Sequence, residues 1–263
     1  MILEDIVRHK RNELVQLKSR QPFHLLEDAI RDLPPARDFK HALLQSSTPN
    51  VPKRLRIIAE VKKASPSRGV IRHDFDPVDI AKAYQENGAV AVSVLTDKKY
   101  FQGDLEYLKQ VREATSIPVL DKDFIIDAYQ IYQARMYGAD AVLLIAAILS
   151  DAEMTNFIDL VYQMGLSALV EVHNRNELNR VLLTDAQIIG INNRDLTNFQ
   201  VNTNTSLQLV KHIPDNKLVV SESGIDNKDI MVSLQKEGID AFLIGEALMK
   251  EQDIGKKLRE LLN

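Results

Sequence analysis

Residues 57–69 read Ile-Ile-Ala-Glu-Val-Lys-Lys-Ala-Ser-Pro-Ser-Arg-Gly, an apolar run that passes into a polar loop. The run is short and rich in β-branched residues, which is typical of a buried strand. Residues two apart on a strand share a face, so Ile58, Glu60 and Lys62 point the same way. Burying charge is costly unless the charge is paired or functional. A strand that ends in a carboxylate, an ammonium and hydroxyl-bearing loop residues therefore predicts an active-site wall.

From residue 57 onward, apolar strand candidates alternate with segments that have room for a helix. The candidates are residues 57–61, 91–95, 118–120, 141–145, 168–172, 188–191, 218–221 and 242–244. Such alternation predicts a parallel sheet covered by helices. Eight units in about 200 residues favour an α/β fold of the closed (β/α)8-barrel type over an open sheet. The G-x-G-x-x-G and G-x-x-x-x-G-K-[ST] nucleotide motifs are absent from the sequence.

The helix boundaries carry their own signals. Asp76 and Pro77 are typical of the first positions of a helix, and Gly88 is typical of its end. A glycine stands shortly before three later strand candidates as well: Gly138, Gly165 and Gly238. These near-copies form a weak internal repeat of helix end and buried strand.

The first fifty residues carry helix patterns and no strand candidate. Apolar residues at three- and four-residue spacing predict the first helix: Leu3, Ile6, Val7, Leu14 and Leu17. Further helical pieces are predicted over residues 25–31 and 38–44, and a polar connector over residues 45–52. We therefore expect one domain over residues 1–263, in which residues 1–50 are a helical extension of the barrel.

Composition excludes several classes of protein. With 33 basic and 37 acidic residues the net charge is −4, and no basic stripe indicates nucleic-acid binding. The absence of cysteine excludes disulfides and a cysteine nucleophile. No apolar run is long enough to span a bilayer, and the charged first twenty residues do not resemble a signal peptide. We expect a cytoplasmic protein without membrane, nucleic-acid or obligate protein partners.

Polar residues lie at the predicted strand ends, where barrel enzymes carry their chemistry. They are Glu60, Lys62, Lys122, Glu171, Asn192, Arg194 and Glu222. Each alone, Lys122 included, is compatible with a charge that meets solvent. Six of them would converge on one mouth, where mixed lysines and carboxylates tune acid and base pKa values: Glu60, Lys62, Lys122, Glu171, Asn192 and Glu222. His173 is interpreted as a loop histidine, and no metal is predicted because no cluster has ligand-like spacing.

Two glycine turns follow the last two strand candidates, Ser223-Gly224 and Gly245-Glu246. Barrels commonly bind phosphate at these turns through backbone N–H groups and a helix N-terminus. The alternative, that the glycines only allow tight turns, stays open at this point.

Several motifs together resemble the indole-3-glycerol phosphate synthase family in its single-function form. They are I-A-E-V-K-K-A-S-P-S-R-G at 58–69, L-T-D-K-K-Y-F-Q-G at 95–103, L-D-K-D-F-I at 120–125, L-V-E-V-H at 169–173, G-I-N-N-R-D-L at 190–196 and V-S-E-S-G-I at 220–225. The resemblance extends over residues 243–249 and over Arg37-Asp38-Phe39 in the extension. One departure is Asp104, where the family usually has a small serine, and it changes the charge and the fit of the loop after the second strand.

The resemblance implies a cofactor-free reaction of 1-(2-carboxyphenylamino)-1-deoxyribulose 5-phosphate, with ring closure and loss of carbon dioxide and water. It implies that Lys122 is the general acid and Glu171 the general base. Lys62 would hold the substrate carboxylate or share in proton delivery, and Glu60 would orient Lys62. Asn192 and Glu222 would hydrogen-bond the developing hydroxyl and amine.

The family also implies binding residues. The positions that match its aromatic-ring slot are Phe101, Phe124 and Leu143, and those that match its phosphate site are Ser65, Ser223, Gly224, Gly245 and the backbone N–H of Glu246. The three apolar residues are equally compatible with ordinary core. Arg194 would face the anthranilate carboxylate or form a structural ion pair. The extension would cap the mouth or the side of the barrel and help exclude water.

Three competing interpretations remain. The first is another ribulose-phosphate-binding barrel enzyme, such as the isomerase one step earlier in the pathway. That family resembles this chain at its phosphate end but uses a cysteine for acid–base work, and this chain has none. Lys122 could instead form a Schiff base, as in lysine-dependent aldolases. A barrel that only binds a phosphorylated ligand is the third interpretation, and the full set of strand-end polar residues argues against it.

Overall fold

The computed structural model describes residues 2–44, 54–195 and 200–263. In that part of the chain, eight parallel strands form a closed barrel in which neighbours in sequence pair and the last strand pairs with the first. The strands are β1 Ile57–Val61, β2 Ala91–Leu95, β3 Val119–Lys122, β4 Ala141–Ile145, β5 Ser167–Val172, β6 Ile188–Asn192, β7 Leu218–Glu222 and β8 Ala241–Ile244. The predicted (β/α)8 barrel is confirmed. The predicted connector over residues 45–52 lies outside the described residues.

Helices precede the barrel and alternate with its strands. They are α1 Ile2–Arg20, α2 Phe23–Ile30, α3 Phe39–Leu43, α4 Pro77–Glu86, α5 Lys98–Phe101, α6 Leu105–Ala114, α7 Ala128–Met136, α8 Asp151–Gln163, α9 Arg175–Val181, α10 Asn204–Leu209, α11 Lys228–Lys236, α12 Glu246–Met249 and α13 Ile254–Leu262. A small antiparallel hairpin after β1 pairs Ala64–Ser65 with Gly69–Val70. None of these helices is both long and apolar enough to cross a bilayer.

The predicted helix signals act as expected. The Asp76 carboxylate accepts the backbone N–H groups of Val78 and Asp79 at 2.8 and 2.9 Å and so caps α4. Gly88 follows that helix with a φ of 99°. A side chain at such a φ would be strained, which explains why glycine recurs between a helix end and the next strand.

Two apolar layers stabilise the barrel. The larger layer lies between strands and surrounding helices and includes Ile57, Ala59 and Val61. The residues between these on β1 point inward, and Ile58 belongs to a second cluster inside the barrel with Leu120 and other inward side chains. This alternation follows from the period of two along a strand. It places Glu60 in the interior above the apolar layer.

The extension closes the end of the barrel opposite the strand C-termini. Phe39 and Leu43 of α3 are fully buried in the interior cluster, beside residues at the starts of the strands. The Arg37 backbone N–H donates to Asp140 at 2.7 Å, and its guanidinium donates to the Ile117 carbonyl at 2.7 Å. The extension was predicted to cap the mouth or the side of the barrel. That prediction did not include the apolar plug that Phe39 and Leu43 form at the other end.

Candidate active site

A cavity of about 380 Å³ opens at the C-terminal ends of the strands. Every predicted site residue lines it: Glu60, Lys62, Ser65, Phe101, Lys122, Phe124, Leu143, Glu171, Asn192, Arg194, Glu222, Ser223, Gly224, Gly245 and Glu246. Their convergence follows from the parallel barrel, in which all strand C-termini meet at one face. The roles of these residues stay predictions.

Lys122 forms the centre of the polar floor of the cavity. Its Nζ lies 3.1 Å from Glu171 Oε2 and also contacts Glu222 Oε2. The ammonium comes from β3, one carboxylate comes from β5, two strands along, and the other comes from β7 on the opposite side of the barrel. All three side chains are buried, with at most 11% of the side chain exposed. Because of this burial, their mutual interactions are little screened by water.

Burial and charge set the protonation of this cluster. Burial lowers the pKa of Lys122, but Glu222 and Glu171 more than offset that effect, and the pKa is raised. Burial alone would raise the pKa of Glu171. The nearby Lys122 and His173 have the larger effect and hold that pKa well below the ordinary value of a glutamate. Burial together with the nearby Glu171 charge raises the pKa of Glu222 to about 7, although Lys122 opposes the shift. At neutral pH the site therefore holds an ammonium, one carboxylate and a carboxyl group that titrates.

A second charged pair stands beside the first. Lys62 Nζ lies 2.5 Å from Glu60 Oε1, and both side chains are largely buried. Lys62 follows the last residue of β1, while Glu60 belongs to the strand itself. The pairing offsets the cost of burying both charges, and Lys62 still lines the cavity.

Gly190 makes room for the Glu222 carboxylate. A Cβ built at Gly190 would overlap Glu222 Oε1, and Leu169 Cδ1 would lie 3.3 Å from it. We expect Gly190→Ala to displace Glu222 from Lys122 and to destabilise the protein by about 1–3 kcal/mol, the usual cost of overpacking. Urea unfolding measures the loss. Shortening the acid in the double variant Gly190→Ala, Glu222→Asp should recover part of it, and a single variant as stable as the parent would contradict this packing.

An apolar slot flanks the charged floor. The rings of Phe101 and Phe124 lie with centroids 6.0 Å apart at an angle of 38°. Leu143 of β4 faces the same cavity and is 3% exposed. An apolar wall beside paired charges suits a substrate that carries an aromatic ring and polar groups. Leu95, Ile145 and Leu243 also line the cavity and were not predicted.

The mouth combines backbone N–H groups with cations. Ser223 and Gly224 have consecutive φ values of 66° and 75°. Successive residues in such conformations can turn their N–H groups toward one anion. Arg68 Nε and Arg194 Nη2 lie 3.2 and 3.3 Å from the two oxygens of Glu246. Arg194 thus forms the ion pair that was one of its two predicted interpretations, while it still lines the cavity.

Asp104 has a structural role of its own. Its carboxylate accepts the backbone N–H of Glu106 at 3.0 Å, which caps α6, and lies 2.9 Å from Lys98 Nζ. A serine could provide the same cap, so this departure from the family pattern preserves the start of the helix. The negative charge that Asp104 adds to the loop is paired with the Lys98 ammonium.

Two residues near the site were not predicted from the sequence to take part in it. Lys10 of α1 is buried, with its Nζ 3.1 Å from Asp97 Oδ2 and 3.0 Å from Asp123 Oδ1. Its position between Ile6 and Leu14 on the apolar face of α1 was the available signal. His173 lies 3.1 Å from Glu171 Oε1, although the sequence suggested only a loop histidine. The available signal was the spacing of Glu171 and His173, two residues apart at the end of β5, which places them on one face.

The fold and the cavity define a (β/α)8-barrel enzyme with a buried acid–base cluster, an apolar slot and an anion-suited mouth. A sequence model of indole-3-glycerol phosphate synthase matches residues 3–261. The chain is 48% identical over 261 residues to indole-3-glycerol phosphate synthase of Alkaliphilus metalliredigens, with 99% of this chain and 98% of the relative covered. It is 49% identical to the enzyme of that name from Trichodesmium erythraeum, with 100% and 89% covered. The chain belongs to the indole-3-glycerol phosphate synthase family, carboxy-lyases of tryptophan biosynthesis.

More distant solved structures share the fold alone. The crystal structure of 3-hexulose-6-phosphate synthase superposes with a TM-score of 0.63 at 13% identity and covers 79% of this chain and 98% of that one. At this identity the likeness supports the barrel architecture and says nothing of the substrate.

Proposed function

We propose that the chain closes the indole ring of 1-(2-carboxyphenylamino)-1-deoxyribulose 5-phosphate by general acid and general base catalysis. The observation that carries the proposal is the Lys122 ammonium held 3.1 Å from the ionised Glu171 within the cavity. A lysine that stays protonated can polarise the ribulose carbonyl while the ring carbon attacks it. An ionised carboxylate can then take the proton that must leave during dehydration.

The neighbouring polar groups have supporting roles in this proposal. Lys62, oriented by Glu60, holds the carboxylate that leaves as carbon dioxide or shares in proton delivery. Asn192 and Glu222 hydrogen-bond the developing hydroxyl and amine. A Schiff base at Lys122 is less well supported, because it needs a neutral amine and the pKa of Lys122 is raised.

Binding follows the two ends of the substrate. Phe101, Phe124 and Leu143 would contact the aromatic ring, and Arg194 would exchange part of its pairing with Glu246 for the anthranilate carboxylate. The phosphate would be bound by Ser65, Ser223, Gly224, Gly245 and the backbone N–H of Glu246. The positive φ values of Ser223 and Gly224 support this assignment.

We further propose that residues 1–263 act as one cytoplasmic domain that needs no cofactor, metal or obligate protein partner. The buried Phe39 plug at one end of the barrel and the buried Lys10 near the other support joint folding of extension and barrel. Both contacts would be lost if the extension were removed.

Product fluorescence tests this function directly. With purified protein and the carboxyphenylamino-deoxyribulose phosphate, we expect fluorescence of indole-3-glycerol phosphate to grow equally fast with and without EDTA and without added cofactor. A loss of activity in EDTA that a divalent metal restores would overturn metal independence. Bound substrate without product would favour the barrel that only binds a phosphorylated ligand.

A further inference from the structure

His173 is held in a fixed position beside the proposed base. It follows β5 directly, and α9 begins two residues later. Its Nε2 lies 3.1 Å from Glu171 Oε1, and its Nδ1 lies 3.0 Å from Glu177 Oε2. The same Glu177 oxygen accepts the His173 backbone N–H at 2.7 Å. The ring thus lies between the carboxylate of the base, which it meets at ion-pair distance, and a carboxylate in the first turn of α9.

Glu177 itself is fixed by the start of its helix. The Glu177 backbone N–H donates to Asn174 Oδ1 at 3.0 Å, and the Asn174 amide donates to Glu177 Oε1 at 2.5 Å. Both contacts belong to the N-cap of α9. Because the His173 ring contacts the first turn of α9 through Glu177, it has few alternative orientations. It can therefore set the orientation of Glu171 on its other side.

The two oxygens of Glu171 are divided between two cations. Oε2 faces Lys122, and Oε1 faces His173. The charged groups around Glu171 are Lys122 from β3, Glu222 from β7 and His173 from its own loop. Burial alone would lower the pKa of His173, but the nearby carboxylates of Glu171 and Glu177 more than offset that effect and raise it to about 10. The imidazole is therefore a cation at neutral pH.

We propose that His173 is a positioning residue that holds Glu171 by Oε1 and keeps it ionised, which leaves Oε2 oriented toward Lys122 and the substrate. The proposal rests on the assignment of Glu171 as the base. His173 does not line the cavity, so its effect should fall on turnover more than on substrate binding.

Steady-state kinetics of three variants test the proposal. We expect His173→Ala to lower kcat about tenfold, with KM within about twofold, as for other groups that orient a reacting side chain. His173→Gln keeps a donor and should recover part of kcat. Arg175→Ala, at the exposed first residue of α9, is the control and should match the parent. Unchanged kcat in His173→Ala, or a rise in KM alone, would overturn the proposal.

A second measurement does not depend on turnover. Carboxyl carbon NMR of the full chain reports the titration of Glu171, which we expect to move to higher pH in His173→Ala because a neighbouring positive charge is lost. An unchanged titration would overturn the proposal even if kcat fell. If the titration moves but Glu171→Gln retains full activity, the positioning contact stands and the assignment of Glu171 as the base fails.

Discussion

Lys122→Ala is expected to lower kcat by about 10²–10⁴-fold, the usual contribution of a positioned proton donor. The variant should still fold, because Glu222 already has a pKa of about 7 and can remain neutral at little cost. Without the ammonium, the pKa values of Glu171 and Glu222 should both rise, since the two buried carboxyl groups lose the cation that they share and Glu171 keeps only His173. Product fluorescence under saturating substrate measures the loss of turnover.

The same variant has a pH-dependent stability. A carboxyl group whose folded pKa is raised binds its proton more tightly in the folded than in the unfolded state. Ionisation then destabilises the fold as pH rises from the unfolded value of about 4.5. Lys122→Ala should therefore melt close to the parent at pH 5 and clearly below it at pH 8. Lys82→Ala, an exposed lysine on α4, is the control. If Lys122→Ala turned over the substrate as fast as the parent, Lys122 would not be the proton donor.

Glu171→Gln is the second large effect that we expect. Glutamine keeps the size of the side chain but cannot take up a proton, so overall product formation should fall by about 10²–10⁴-fold. Ring closure and decarboxylation precede dehydration in the proposed reaction. With substrate labelled in the carboxyl group, the variant should therefore release carbon dioxide in a first turnover without indole fluorescence.

The comparison with Lys122→Ala separates the two assignments. Loss of the acid should suppress carbon dioxide release and fluorescence together, because ring closure fails. Glu86→Gln on the exposed face of α4 is the matched control and should leave both signals intact. If Glu171→Gln stops carbon dioxide release as completely as fluorescence, the base acts before dehydration and the proposed order is wrong.

The strands were predictable because their signals are local. Seven of the eight predicted strands differ from the observed ones by at most one residue at an end, and β3 continues two residues further, to Lys122. The inward position of Glu60 followed from the alternation along β1. The cavity residues were predictable for a different reason, because a parallel barrel gathers its strand ends at one face.

The contacts of Lys10 and His173 could not be predicted in the same way. Lys10 meets Asp97 and Asp123, which are more than eighty residues away in sequence. His173 shares a face with Glu171 through its spacing, but its second contact, with Glu177, depends on how the first turn of α9 is placed. Such contacts depend on side-chain rotamers and on the packing of one element against another, which a local pattern does not record.

The sequence by itself determined the barrel, the order of its elements and the family, because hydrophobic period, helix caps and motifs are properties of short stretches. Only the tertiary structure decided the protonation of the site. Lys122 becomes a strongly held ammonium, and Glu171 and Glu222 acquire opposite pKa shifts, because burial removes water and folding brings together charges from β3, β5 and β7. Burial and distance exist only once the chain is closed into a barrel.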